Sequence, residues 1–364
     1  GNCSDTRLGQ VGIMGELIRM AQTLTKNSTT PATRPPNLWL RRYSIIIIGV
    51  AVIVLVFIWR AFVGKQPLVD TLSLVTLTLT FSTPITLGAI SGTFSERSGV
   101  VNIGIEGMML SGAFFGALAV SYTGQIWVGV IVAPLAGAAL ALLHAVLSIY
   151  FRVDQIISGT VINILSVGLT SYLDSLTKQR ARSVSKLPSI EFKIDNLPFS
   201  IGAVSILSVL VVFIAHYVLF NTVWGLRTRA VGENPKAADT AGVNVFKIRY
   251  FSVLISGVLA GLGGMYFSLQ VLGGFTQGMT VGTGFIALAA MIFGNWKPFG
   301  AFGAALLFGL CLASDNVLQS WYGNIEWLHT FTQAIPYVVT IVVLTGVIGR
   351  SRPPAAVGTP YVKQ

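Results

Sequence analysis

Apolar stretches of about 20 residues recur along the whole of this chain, and each is long enough to cross about 30 Å of hydrocarbon as an α-helix. One such stretch fits a buried helix of a soluble domain; eight or more in succession do not. The supply of charge agrees. Only 10% of the 364 residues are charged, whereas a soluble domain carries about 25% to cover its surface.

The stretches lie at 44–59, 68–94, 100–120, 126–150, 156–173, 199–220, 249–270, 281–294, 299–318 and 332–348. The expected fold class is therefore all-α, a polytopic integral membrane protein of about ten transmembrane helices. The second stretch is overlong and contains Pro84, and Gly99, Gly104 and Gly107 follow it. Proline removes a backbone donor and kinks a helix, so a broken or re-entrant helix region is expected near 84–107. The 39 glycines, many in runs such as GVLAGLGG at 257–264, favour close helix packing.

Lys and Arg near helix ends set orientation. With the N-terminus in the cytoplasm, the inside receives Arg41, Arg42, Arg97, Arg152, Arg227, Arg229, Lys236, Lys247, Arg249, Lys297, Arg350 and Arg352. The outside receives a smaller set, Arg60, Lys65, Lys178, Arg180, Arg182, Lys186 and Lys193. The expected organisation is a polar cytoplasmic tail at 1–40, a first helix at 41–66, a transmembrane domain at 67–350 with a cytoplasmic loop at 222–248, and a cytoplasmic tail at 351–364.

The formal charge of +11 would point to nucleic acid in a soluble protein. Here the basic residues flank apolar segments, which topology explains better. Cys3 and Cys311 outline no disulfide framework, and His144, His216 and His329 share no metal-site spacing. The chain contains no G-x-x-x-x-G-K-[ST], H-E-x-x-H or G-x-S-x-G run. Uphill transport would need an ion gradient or another subunit to drive it.

Polar residues inside apolar surroundings are the candidate site. Asn102 and Glu106, four apart in VNIGIEGMM, share a helix face. An ionisable group at membrane depth is expensive and points to a solute pathway; a structural lock between helices is the competing reading. Gln155 and Asn163 could line the same cavity or form ordinary interhelical hydrogen bonds. The longest inside loop carries a short helix from Asn234 to Ala241, with Asn234 as cap, Pro235 in the first turn and Gly242 at its end. An isolated helix of that length needs something to dock against.

Three runs carry a family resemblance: GTFSERSGVVNIGIEGMMLSGAF at 92–114, RAVGENPKAADTAGVNV at 229–245 and IPYVVTIVVLTGVIGRSRPPAAVGTPY at 335–361. Over about 67–361 the chain resembles the permease subunits of bacterial ABC importers of the branched-chain amino acid and simple sugar class, most closely the nucleoside permeases that work with basic membrane lipoproteins. The resemblance implies alternating access in a bacterial plasma membrane. The 229–245 run would be the coupling element that enters a groove on an ATP-binding subunit, through Gly232, Glu233, Asn234, Pro235, Ala238 and Gly242. It implies a second related permease, an extracytoplasmic solute-binding lipoprotein, and ATP used by the partner ATPase, with no cofactor held by this chain and no covalent chemistry. Asn102, Glu106, Gln155 and Asn163 would belong to the substrate pathway. The resemblance makes nucleosides the favoured solute; ribose or another simple sugar comes next, then a branched-chain amino acid, since scarce buried charge favours uncharged solutes. An ion-coupled secondary transporter with Glu106 as carrier is the reading from a different class.

Overall fold

The computed structural model describes residues 67–194, 197–322 and 352–363. The expected tail at 1–40 and the apolar stretches at 44–59 and 332–348 lie outside the described residues.

Each of the other eight apolar stretches contains a helix. They are α1 (Pro67–Arg97), α2 (Ile105–Thr123), α3 (Ile126–Ala145), α4 (Gln155–Leu176), α5 (Ala203–Asn221), α8 (Val245–Met265), α9 (Thr283–Phe293) and α10 (Pro298–Tyr322). Between α5 and α8 lie the shorter α6 (Val223–Glu233) and α7 (Pro235–Thr240). The chain is thus mostly helical, and six helices among the described residues are long and apolar enough to cross a membrane. A two-stranded antiparallel hairpin, β1 (Ser189–Ile194) and β2 (Leu197–Gly202), is the non-helical exception. It occupies the start of the stretch read from sequence as beginning at 199, so α5 begins only at Ala203.

The break expected near 84–107 lies at its C-terminal end. α1 passes through Pro84 without interruption and stops at Arg97, and α2 starts at Ile105. Threonine side chains along α1 donate back to carbonyls four residues earlier, as Thr78 does to Leu74 at 2.6 Å and Thr83 to Leu79 at 2.7 Å. The chain turns after Arg97 because Gly99 has φ +89°, a left-handed conformation that favours glycine.

α8 is the most enclosed of the long helices, packed against α1, α2 and α3, while α9 and α10 flank α1. Backbones meet at the α2–α8–α3 crossing. A Cβ on Gly112 would stand 2.5 Å from the Gly261 carbonyl oxygen, and one on Gly261 would stand 2.5 Å from that of Ala133. Contact this close is how helices associate where lipid removes the hydrophobic drive between them. The outward faces of α3, α4 and α5 expose Ile131, Leu135, Ile157, Ile164, Phe213 and Tyr217, side chains suited to lipid or to a second apolar subunit.

The bundle has two ends. One gathers the break at 98–104, α6, α7, the turn after α9 and the tail at 352–363, tied by bonds such as Ala356 N to Gly232 O at 2.9 Å and Arg97 Nε to Trp296 O at 2.8 Å. The other gathers the loop after α4 and the stretch after α8, tied by Val184 N to Gly273 O at 2.9 Å and Phe275 N to Ala181 O at 2.7 Å. α9 has 11 residues, which rise about 16 Å at roughly 1.5 Å each. That is about half a bilayer, so irregular backbone at 276–282 brings the chain from the second end to a helix N-terminus inside the bundle.

Alanine at Gly261 should lower the stability of the detergent-purified protein by about 1–3 kcal/mol, the usual cost of overpacking, because its Cβ meets backbone that cannot step aside. Alanine at Gly303, whose Cβ would have nothing within 4 Å, should leave the melting temperature unchanged in the same assay.

Candidate functional site

Interrupted backbone in a membrane bundle frees peptide groups that lipid cannot satisfy. Side chains from three neighbouring helices supply the partners for 98–107. Gln155, the first residue of α4, accepts from Val101 N at 2.7 Å. Asn163, two turns further along, accepts from Gly107 N at 2.8 Å and donates to Ile103 O at 3.0 Å. An amide side chain carries the donor and acceptor of a peptide group, so Asn163 stands in for the partner that a continuous helix would provide. Asn102 is fully buried and donates to Ser256 Oγ on α8 at 2.9 Å, and Ser256 in turn meets Ser91 Oγ on α1 at 2.8 Å.

Glu106, in the first turn of α2, reaches the N-terminus of α9. Its Oε1 accepts from Thr280 Oγ1 at 2.5 Å and Gly282 N at 2.9 Å, and its Oε2 accepts from Gly284 N at 2.6 Å. The first N–H groups of a helix have no partner within it, and the aligned peptide dipoles there favour negative charge. One carboxylate therefore serves two helix N-termini, its own and that of α9. The structure brings all four polar residues singled out in the sequence to this one region. Asn102 and Gln155 are buried, whereas Glu106 and Asn163 are half-buried.

Beneath the break, α6 and α7 form the exposed element. The Thr222 hydroxyl accepts from Gly225 N at 3.1 Å to cap α6, and Asn234 Oδ1 accepts from Ala237 N at 3.1 Å to cap α7. Pro235 occupies the first turn, and Gly242, at φ +80°, ends the element, as the sequence pattern anticipates. Glu233, Asn234 and Gly242 are exposed and Pro235 is half-buried. Gly232 and Ala238 point inward: Gly232 lies against the Arg97 carbonyl, where a side chain would not fit, and Ala238 packs with Val231, Val245 and Tyr361. An apolar depression of about 400 Å³ lies between the two helices, lined by Leu226, Ala230, Ala237, Ala238, Ala241 and Val243 with Arg227 and Glu233.

Several residues at this end carry more than the sequence disclosed. His144 is buried, with Nε2 2.9 Å from Val101 O and Nδ1 2.9 Å from Ser158 Oγ. A carbonyl only accepts, so Nε2 carries the proton and Nδ1 accepts from the serine in the neutral ring. Glu96 accepts from Trp296 Nε1 at 2.6 Å. Arg249, read from sequence as a topology marker, is buried in the first turns of α8; its place inside an apolar helix was the available signal. Among the described residues no group of His, Cys, Asp and Glu could hold a metal ion.

A membrane bundle with a sutured break and a short capped helix beneath it is the setting of a transport subunit. The chain belongs to the family described as the permease component of the branched-chain amino acid transport system, whose model matches residues 74–345. It is 42% identical to the guanosine ABC transporter permease protein NupQ of Bacillus subtilis over 310 residues, 80% of this chain and 96% of that protein. It is 39% identical to the nucleoside ABC transporter permease protein NupC of Lactococcus lactis, over 78% of this chain and 95% of that one. It is also 36% identical to the putative glucose ABC transporter permease protein TsgC13 of Haloferax volcanii, over 76% and 92%. This chain is accordingly a multi-pass permease subunit of an ABC transporter.

Replacing Glu106 with glutamine keeps the shape but sets an NH₂ group against an N–H or O–H donor. The Glu106→Gln protein should lose about 1.5–3 kcal/mol, the worth of a charge-assisted bond, read as a lowered melting temperature in detergent. An unchanged melting temperature would disprove that this carboxylate holds α9.

Proposed function

We propose that this chain is one permease subunit of an ATP-driven nucleoside importer and forms half of the translocation pathway with a second, related permease. The observation that carries the reading is the identity of 42% and 39% to permeases named for guanosine and nucleosides, over about four-fifths of the chain. The 36% identity to a permease named for glucose keeps a simple sugar as the second reading.

The mechanism we infer divides the work between the two structural features. An ATP-binding subunit receives the element from Gly232 to Gly242, with Glu233, Asn234, Pro235 and Gly242 on the contact surface and Gly232 and Ala238 passing its movement inward. Asn102, Glu106, Gln155 and Asn163 belong to the pathway by holding its wall together, since each bonds to backbone or to a neighbouring helix. ATP is used by the partner subunit, and a solute-binding lipoprotein delivers solute to the opposite end.

The excess of Arg and Lys at the end bearing α6 and α7 supports a cytoplasmic location for that end under the positive-inside rule. The membrane would be the bacterial plasma membrane. A transmembrane domain at 67–350 is compatible with the family match at 74–345. The outward apolar faces of α3, α4 and α5 suit a permease partner and lipid.

Uptake of radiolabelled guanosine, with ribose and leucine in parallel, should fall only for guanosine in cells lacking this gene. Loss of ribose uptake alone would move the chain to the sugar branch. Asn234→Ala removes the α7 cap, worth about 1 kcal/mol, and should reduce uptake while leaving the amount of permease in the membrane unchanged.

A further inference from the structure

The tail at 352–363 has no helix or strand, yet it crosses the coupling end of the bundle and is held along its length. Ala356 N donates to Gly232 O at 2.9 Å, and Gly358 N donates to Gly99 O at 3.3 Å. The first bond reaches the joint between α6 and α7 and the second reaches the break. Further on, Thr359 O accepts from Arg249 Nη1 at 3.1 Å, and the Tyr361 ring packs 5.4 Å from that of Phe246. The Tyr361 side chain packs with Ala238 of α7; burial first, and the Asp239 carboxylate on the same helix second, push its hydroxyl up from its ordinary pKa.

Arg249 is the anchor. It is 1% exposed, and its Nε and Nη2 meet no protein acceptor among the described residues. Burying a guanidinium is costly unless it is paired, so a structure that keeps one here needs the partner it has among the described residues, the tail carbonyl. The fit is close on every side: a Cβ on Gly99 would lie 2.9 Å from Arg249 Nη2 and 3.2 Å from Ala356 O. Break, buried arginine and tail thus meet at one point. α7, by contrast, packs mainly on α6 and α8, so its routes to the break run through Gly232 against Arg97 and through this tail.

We propose that the tail is a strap that carries movement of α7 to the broken segment at 98–104, with Arg249 as its positioning residue. The proposal rests on the reading that α7 receives an ATP-binding subunit. When that subunit shifts α7, Asp239 and the pocket around Ala238 move Tyr361; the tail backbone then moves against Gly99 and Gly232 together. Asn102 lies within the break, three residues after Gly99, so the shift reaches the hydrogen bonds that hold the pathway wall.

The test uses the whole importer, purified through a tag on this chain and reconstituted in lipid vesicles. Recovery of the ATP-binding subunit, ATP hydrolysis and guanosine uptake are measured for the native chain, for Arg249→Gln, for Arg249→Lys and for deletion of 352–364. Arg249→Gln and the deletion should retain the subunit and its hydrolysis while uptake falls about two- to thirtyfold, the range that altered coupling reaches. Arg249→Lys, which keeps a cationic donor, should recover much of the loss. If the deletion does not reach the membrane, Arg249→Gln decides alone. Parallel loss of subunit, hydrolysis and uptake, or full uptake in both variants, overturns the strap. Ala237→Trp, at an exposed position of α7, separates the two layers: a variant that still retains the ATP-binding subunit and full uptake overturns the docking reading and the strap with it.

Discussion

Backbone that leaves helical geometry inside a bilayer must find its hydrogen bonds in protein, and this requirement governs the arrangement of the molecule. Two stretches leave it here, 98–104 after α1 and 276–282 before α9, and they meet at Glu106. An unpartnered peptide group in hydrocarbon costs several kcal/mol, roughly the whole margin by which a domain is stable. Gln155, Asn163 and Glu106 each remove at least one such cost. Without them the first turn of α2 and the N-terminus of α9 would expose N–H groups to a medium that offers no acceptor.

The small-residue crossings make these bonds possible. Asn102 reaches Ser256 at 2.9 Å only because α8 lies close to the break, and α8 lies close because glycines at the crossing leave no side chain between the backbones. Packing therefore comes before polar satisfaction in the causal order. The same logic applies at the coupling end, where Gly232 lets α6 abut the end of α1. The contact there is between backbones, which compress little.

The helices were readable because length and hydropathy suffice for them: a stretch such as 126–150 has few other forms available in a membrane. The short α7 was equally readable, since Asn234, Pro235 and Gly242 all fall within one nine-residue run, 234–242. Pro84 misled because a membrane helix tolerates proline when neighbours compensate, so glycine at positive φ, not proline, marked the actual break. The hairpin at 189–202 was hidden by its short length beside a strongly apolar helix. For the polar residues, sequence showed which were out of place but not what they touched: Asn102 meets a serine 154 positions away and Glu106 a loop 174 positions away. The contact between Arg249 and the tail was missed for the same reason, because a pairing across 110 residues has no local signature.

The engagement of Glu106 also bears on the source of energy. An ion-coupled carrier needs a carboxylate that can release its partners and take up a cation or proton within each cycle. Both oxygens of Glu106 are occupied, by one hydroxyl and two N–H groups at the start of α9. Freeing them would forfeit three charge-assisted bonds, each worth about 1.5–3 kcal/mol, and would leave a helix N-terminus uncapped inside the bundle. A group bound so firmly is suited to keeping a wall intact while the wall moves. The work of moving it has to enter elsewhere than at this carboxylate.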